Sequence, residues 1–170
     1  MKFRNNNDII PNRLTLIGGD MELQKLTIED KKLVKQCDNM FLKFLDSEGK
    51  YDDNYLKREK VNTFFNDLSK ENILLLVAKE QETVLGFLYG WIETKKDSKL
   101  PIAHMTFLYV NEEYRNKKIA TSLIDEFLNL IKEMNVEIIE VKCYEENEAA
   151  KKLYKKYGFK PIWSNYRTRI

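Results

Sequence analysis

The sequence predicts a mixed α/β domain built around one strand–helix–strand unit, on the evidence of its length and its apolar pattern. A chain of 170 residues is the size of one ordinary domain and is long enough to bury a single core. Its apolar residues form short runs of strand length in some segments and recur at helical spacing in others. Segments of the two kinds follow one another along the chain, as in domains where helices cover a sheet.

The first part of the predicted domain is a strand followed by two helices. Met21–Leu26 predicts the strand, and Ile28–Asp30 opens a helix whose apolar spacing continues to about Leu45. A polar loop around Ser47–Asp53 precedes the second helix. The apolar stripe of that helix consists of Leu56, Val61, Phe64, Phe65 and Leu68.

A three-stranded meander follows the helices. Its strands are predicted at Ile73–Lys79, Val84–Glu93 and Ile102–Val110. The turn Glu80–Glu82 makes the first two a hairpin, so the sheet is expected to be mostly antiparallel.

The last part of the chain alternates helices with strands. A helical stripe starts at Ile119 and ends near Asn135, the strand Val136–Cys143 follows, and Glu146–Tyr157 is helical again. Gly158 suits the left-handed position that ends a helix. Two closing strands are predicted at Phe159–Ile162 and Tyr166–Ile170.

Residues 1–20 differ from the rest of the chain. They are rich in Asn and show no clear period before Gly18–Gly19–Asp20. Gly-Gly-Asp directly before Met21 is what a purine-rich ribosome-binding site gives when it is translated. We therefore expect an N-terminal extension at 1–20, with Met21 as the hypothetical native start, and one domain at 21–170.

Composition and charge exclude several classes of function. A net charge of +2 is too small to favour nucleic acid, and no apolar run is long enough to cross a bilayer. His104 is the single histidine, which excludes a multi-histidine metal site, and Cys37 and Cys143 fit neither a disulfide framework nor a zinc site. We expect a cytoplasmic protein that has no metal and binds neither nucleic acid nor membrane.

A basic cluster lies where the third meander strand leads into a long helix. Arg115, Lys117 and Lys118 precede Ile119, at a helix start whose unpaired N–H groups and dipole favour an anion. A solvated basic surface is the alternative interpretation of the cluster.

Two motifs resolve this choice by resemblance to a known family. The segment Leu108–Ala120 resembles the phosphate turn Arg/Gln-x-x-Gly-x-Gly/Ala of the GNAT N-acetyltransferases, with Arg115 as the first residue and Ala120 as the last. Lys118 departs from the motif, because it stands where the family usually has Gly. A lysine there can still present its N–H if its dihedral angles are helical. Asn147–Phe159 is similar to the family segment Asn-x-x-Ala-x-x-Leu-Tyr-x-Lys-x-Gly-Phe at every named position.

The resemblance implies a GNAT-like fold and the direct transfer of an acetyl group from acetyl-CoA to an amine. The strand ending at Val110 would diverge from the next parallel strand and leave a gap for the pantetheine arm, with Val110 N–H as the candidate oxyanion donor. Asn147 would bond to that arm, and Tyr154 matches the family's general acid. The residues that the resemblance assigns to the cofactor are Leu108, Tyr109, Val110, Arg115, Asn116, Lys117, Lys118, Ile119, Ala120, Thr121, Asn147, Tyr154 and Lys156.

The base and the acceptor are less constrained by the sequence. Glu93 and His104 are the candidate bases. The alternative for His104 is a half-buried strand residue that serves packing only, and the alternative for Glu93 is a carboxylate at the rim of the site. The acidic segment 46–53 suits a cationic amine such as an aminoglycoside, a polyamine or a basic peptide terminus. The aromatic residues Trp91, Trp163 and Tyr166 are candidates to line the same cleft.

Two other readings stay open. The chain could be a catalytically silent acyl-CoA sensor, or a nucleic-acid binder that uses Arg115–Lys118, although aromatic interleaving and a broad basic face are lacking. Homodimers are common in the family, and no residue of this sequence decides that point.

Overall fold

One six-stranded sheet runs through the part of the chain that the structure, a computed structural model, describes: residues 15–18, 20–52, 63–94 and 100–168. The strands are β1 (Thr15–Gly18), β2 (Met21–Lys25), β3 (Ile73–Glu80), β4 (Thr83–Glu93), β5 (Ile102–Val110) and β6 (Ile138–Val141). The helices are α1 (Lys31–Glu48), α2 (Thr63–Asp67), α3 (Ile119–Glu133) and α4 (Glu148–Lys156), with a short 3₁₀ helix at Glu112–Tyr114.

The strands lie side by side in chain order. The pairs from β1–β2 to β4–β5 are antiparallel, and β5 and β6 are parallel. Parallel neighbours need a crossover, which α3 supplies. The structure confirms the predicted mostly antiparallel sheet with one strand–helix–strand unit.

A hydrophobic core lies on each face of the sheet. The first core contains the buried side of α3, including Leu123 and Phe127, and the second contains α1 and Phe64 of α2. Because side chains alternate along a strand, β4 places Leu88 in the first core and Phe87 in the second. The sheet is therefore buried on both sides in its middle.

Local signals account for the ends of α4. The side chain of Asn147 accepts a hydrogen bond from the Ala150 N–H (3.1 Å), which caps the start of the helix. Gly158 follows the last turn with φ of +79°, the left-handed conformation predicted for it.

Several boundaries differ from the predictions. The first helix extends to Glu48, so Ser47 and Glu48 are helical, and the strand predicted at Val136–Cys143 is confined to Ile138–Val141. Residues 15–18 form a strand that the sequence analysis did not predict.

The two closing strands were predicted wrongly. Residues 159–168 have no strand, and Ile162 and Tyr166 are 71% and 92% exposed. An apolar run pairs only where a neighbouring strand presents its edge, and the local pattern does not specify that neighbour. The predictions for Gly19, Asp53, Leu56, Val61, the Phe65 side chain and Ile170 lie outside the described residues.

Candidate functional site

The turn before α3 presents cations beside unpaired backbone donors. Lys118 stands at the N-cap without a side-chain cap, and the amides of Ile119, Ala120 and Thr121 precede the first N–H that bonds within the helix, that of Ser122 to the Lys118 carbonyl. Three such donors at a positive helix end form an anion site. The exposed side chains of Arg115, Asn116, Lys117 and Lys118 surround it.

Arg115 is held in place by its neighbours. Its Nε donates to the Val110 carbonyl (3.2 Å), a guanidinium nitrogen lies 3.3 Å from Glu112, and the group lies 5.8 Å from the Tyr109 ring centre. These contacts fix the cation at the end of β5, next to the start of α3.

The backbone conformation at Lys118 differs from the helical one considered for it. Its φ of 63° and ψ of 7° are left-handed, as is the φ of 63° at Asn116. Lysine here adopts a conformation that glycine reaches without strain.

In the described residues the pairing of β5 with β6 ends before the last part of β5, and we call the side of β5 left without a strand partner there the gap. The parallel register runs from Ile102–Ile138 to Met105–Val141 and includes no later residue of β5. The Asn111 N–H donates to the Leu85 carbonyl (3.0 Å), so in the antiparallel alternation Leu108 and Val110 direct their backbone groups away from β4 and into this gap.

Tyr154 lies on α4, which follows β6 along the chain. Its ring packs against Phe159 at 5.8 Å and against the first core. Burial raises the pKa of Tyr154, and Cys143 and Glu48 raise it further, so the phenol stays protonated at neutral pH. Glu48 ends α1 on the opposite face of the sheet, so the charge that acts on this phenol comes partly from across the sheet.

Tyr157 fixes α4 against α3. Its hydroxyl donates to the Thr121 carbonyl (3.1 Å) and to Asp125 (2.8 Å), and burial and Asp125 raise its pKa to about 12. These bonds orient the helix that carries Tyr154. Lys156, one residue before Tyr157, is exposed.

The two candidate bases are in contact. His104 Nε2 lies 3.0 Å from Glu93, and Nδ1 lies 3.9 Å from Glu140 of β6. The Trp91 ring stacks on the imidazole at 4.3 Å. Sequence analysis missed Glu140, because its position beside His104 depends on the register of β5 and β6. Glu48 belongs to the acidic segment 46–53 that was predicted to suit a cationic amine.

The predicted acceptor cleft is brought together only in part. Trp91 contacts His104, whereas Trp163 lies under Lys142 (5.6 Å) and Tyr166 is almost fully exposed. In the acidic segment, Asp52 forms a two-oxygen ion pair with Arg167 at 2.8 Å.

Neither a metal site nor a membrane span is found among the described residues. Within those ranges no group of three or more His, Cys, Asp or Glu side chains could hold a metal ion. None of the helices described there combines the length and the apolar character that a membrane span requires.

Comparison with known proteins identifies the family. The family model of the acetyltransferase (GNAT) family matches residues 39–159, which is more than half of the chain. The chain belongs to the GNAT family of acetyltransferases. The family implies acetyl-CoA as the acetyl donor.

Acetyltransferases similar to this chain are named for different acceptors. The chain is 28% identical over 149 residues to a spermidine N(1)-acetyltransferase of Thermoplasma acidophilum, which covers 82% of this chain and 88% of the relative. An aminoglycoside acetyltransferase from an uncultured soil metagenomic sample has a TM-score of 0.69 at 18% identity and covers 91% of this chain and 100% of its own. A ribosomal-protein-alanine N-acetyltransferase from Brucella melitensis has a TM-score of 0.65 at 18% identity, with 89% and 100% covered. These two structures share the fold with this GNAT chain.

Proposed function

We propose that the protein transfers the acetyl group of acetyl-CoA directly to a primary amine, with Tyr154 as general acid and His104, supported by Glu93, as base. The main support for the proposal is that the candidate residues lie in sequence along the β5–β6 gap. An anion-binding helix start lies at one end of the β5–β6 gap, and the His104 pair lies at the other.

The residues present fit acetyl-CoA. The amides of Ile119–Thr121 and the cations before them suit a pyrophosphate, and Leu108 and Val110 offer backbone groups to an extended amide chain in the gap. Arg115 and Lys117 would hold the phosphates. Acetyl-CoA supplies a thioester carbonyl that an amine can attack.

Tyr154 suits the role of proton donor to the sulfur. Burial keeps its phenol protonated, and among the described residues its hydroxyl has no hydrogen-bond partner of its own. The hydroxyl is also not sealed from solvent. A protonated donor beside the leaving sulfur contributes roughly 10²–10⁴-fold to the rate.

Val110 suits the role of oxyanion donor because its N–H points into the gap. A backbone donor that is already oriented needs no rearrangement when charge develops on the carbonyl oxygen. Asn147 keeps its proposed contact with the pantetheine arm through its NH₂ group, since its side-chain oxygen caps α4.

The acceptor is proposed to be a cationic amine. Glu48, Glu93 and Glu140 place carboxylates around the site, and attraction between opposite charges would concentrate an ammonium there. The spermidine acetyltransferase relative supports a polyamine, and the aminoglycoside enzyme has the same fold.

The test combines acetyl-CoA calorimetry with thiol release on an amine panel. We expect binding that Arg115→Ala and Lys117→Ala weaken, and turnover of at least one amine that Tyr154→Phe lowers about 10²-fold or more without changing acetyl-CoA affinity. Binding without turnover of any amine would favour the sensor alternative. A wild-type kcat in Tyr154→Phe would show that Tyr154 is not the general acid.

A further inference from the structure

The imidazole of His104 lies between two carboxylates from different strands. Glu93 on β4 faces Nε2 at 3.0 Å, and Glu140 on β6 faces Nδ1 at 3.9 Å. The side chains of His104, Glu93 and Glu140 are 17%, 23% and 33% exposed, so a small ligand can reach them. In the described part of the chain these two carboxylates are the charged groups placed against the ring.

The two contacts of the ring differ in kind. An ionised carboxylate only accepts hydrogen bonds, so the short contact places a proton on Nε2, donated to Glu93. In the neutral ring Nδ1 then carries the lone pair and faces Glu140, a second acceptor. Nδ1 of His104 and the Glu140 carboxylate, 3.9 Å apart, are both acceptors and do not bond to each other. The nitrogen of a bound amine that has two N–H groups can donate to both of them at about 2.9 Å.

We propose that Glu140 is the anchor of the acceptor amine, which it holds against Nδ1 of His104. This inference rests on the proposed function and adds a residue that contacts the substrate. Glu140 pairs with the ammonium, and Glu93 stabilises the imidazolium that forms once Nδ1 has taken a proton. An acceptor bound in this way must be a primary or secondary amine, because a protonated tertiary amine has only one N–H group and cannot make both contacts.

The position along the strands agrees with the reaction. His104 and Glu140 are register partners one residue before the last β5–β6 pair, at the closed end of the gap. Cys143, whose thiol influences the Tyr154 phenol, lies three residues after Glu140 along the chain.

The protons and bonds balance with these residues. His104 takes one proton from the ammonium, the amine nitrogen forms a bond to the acetyl carbon, and the carbon–sulfur bond breaks. Tyr154 gives its phenol proton to the sulfur and recovers a second proton from the nitrogen. The imidazolium proton leaves to solvent, which yields the amide, the free thiol and one proton.

The single histidine makes a direct test possible. NMR of the His104 ring is recorded on the full chain with CoA present, before and after adding spermidine or kanamycin as the amine probe. We expect at least one probe to shift the ring resonance in the wild type and in Glu137→Gln, a matched control at an exposed position near β6. Glu140→Gln should lose the shift.

Kinetics separate this inference from the proposed function. Glu140→Gln should raise the KM for the amine about 10-fold or more and leave the acetyl-CoA affinity and the melting temperature unchanged. A ring resonance that neither probe moves, or that moves equally in Glu140→Gln, would overturn the role of Glu140. A third outcome is possible, in which the probe shifts the His104 resonance in the wild type but not in Glu140→Gln, and no amine is acetylated. That outcome would support the amine site and overturn the proposed transfer reaction.

Discussion

Lys118 occupies a backbone conformation that disfavours any residue with a Cβ atom. Its left-handed φ of 63° costs about 1–2 kcal/mol for an ordinary side chain. Asn116 has the same φ, but asparagine tolerates this region better. The turn before α3 thus adopts this conformation with a lysine at the position where glycine is usual in the family motif, and the strain lowers the free energy of unfolding.

Replacing Lys118 with glycine is expected to stabilise the protein. Lys118→Gly removes the Cβ strain and should raise the free energy of unfolding by about 1 kcal/mol, measured by urea denaturation. Lys117→Gly is the control, because Lys117 is not among the described residues with positive φ, and it should be neutral or destabilising. Equal effects of the two substitutions would show that Lys118 is not strained.

At the scale of elements, Gly86 allows β4 to pack closely against the end of β5 and the start of α3. A Cβ at this position would lie 2.9 Å from the Tyr109 carbonyl oxygen and 3.3 Å from a methyl group of Ile119. The carbonyl belongs to the backbone and cannot rotate away. The spacing of these three elements therefore depends on a missing side chain.

Gly86→Ala is expected to disturb the anion site from a distance. It should lower the free energy of unfolding by about 1–3 kcal/mol and weaken acetyl-CoA binding, because β5 or α3 must shift. Gly49→Ala is a matched control, since Gly49 has a right-handed conformation and its nearest atom would be 3.4 Å away. Calorimetry and thermal melting check both variants, and unchanged affinity in Gly86→Ala would contradict the account.

Asp38 connects α1 to α2 and introduces a dependence of stability on pH. It is buried, and its carboxylate accepts the Phe64 N–H at 3.3 Å. Burial raises the pKa of Asp38, and the hydrogen bond partly offsets this. The folded state therefore binds this proton more tightly, so the contribution of Asp38 is largest at acid pH and is lost as pH rises through the raised pKa.

Asp38→Asn should raise the free energy of unfolding at pH 7 and have a much smaller effect near pH 3. The amide oxygen retains the bond from Phe64, and the buried charge is removed. Asp46→Asn, at an exposed position on the same helix, controls for the loss of charge. Denaturation at the two pH values measures the difference, and a pH-independent effect of Asp38→Asn would argue against the burial penalty.

At the scale of the whole molecule, the sheet joins two cores that share every central strand. Leu88 and Phe87 are neighbours on β4 and belong to opposite cores, so losing one core exposes the strand that supports the other. The candidate site depends on the same arrangement, since Tyr154 comes from the α4 side and Glu48 from the α1 side.

Both cores are expected to unfold in one transition. Tryptophan fluorescence of Trp163→Phe, in which Trp91 is the remaining tryptophan, and far-UV circular dichroism should give coincident denaturation curves, because small domains without separable units unfold cooperatively. Acetyl-CoA at 100 times its Kd should raise the free energy of unfolding by about 2.7 kcal/mol in both signals. Two separated transitions would show that the faces unfold independently.

The amino-acid sequence by itself determined the elements whose signals are local. The β5 strand and the start of α3 were predicted at their observed positions from apolar spacing alone, and Gly158 marked the end of α4. The predictions for the turn before α3 and for the Tyr154 segment came from contiguous family motifs. Each of these features is specified by residues that are close together in the chain.

Only the tertiary structure decided which distant residues meet. The contact of Glu140 with His104 depends on the parallel register of β5 and β6, and the approach of Glu48 to Tyr154 depends on packing across the sheet. The predicted closing strands failed for the same reason, because Ile162 and Trp163 have an apolar pattern but no strand partner. Register and pairing are fixed by interactions between distant segments, and a local pattern does not encode them.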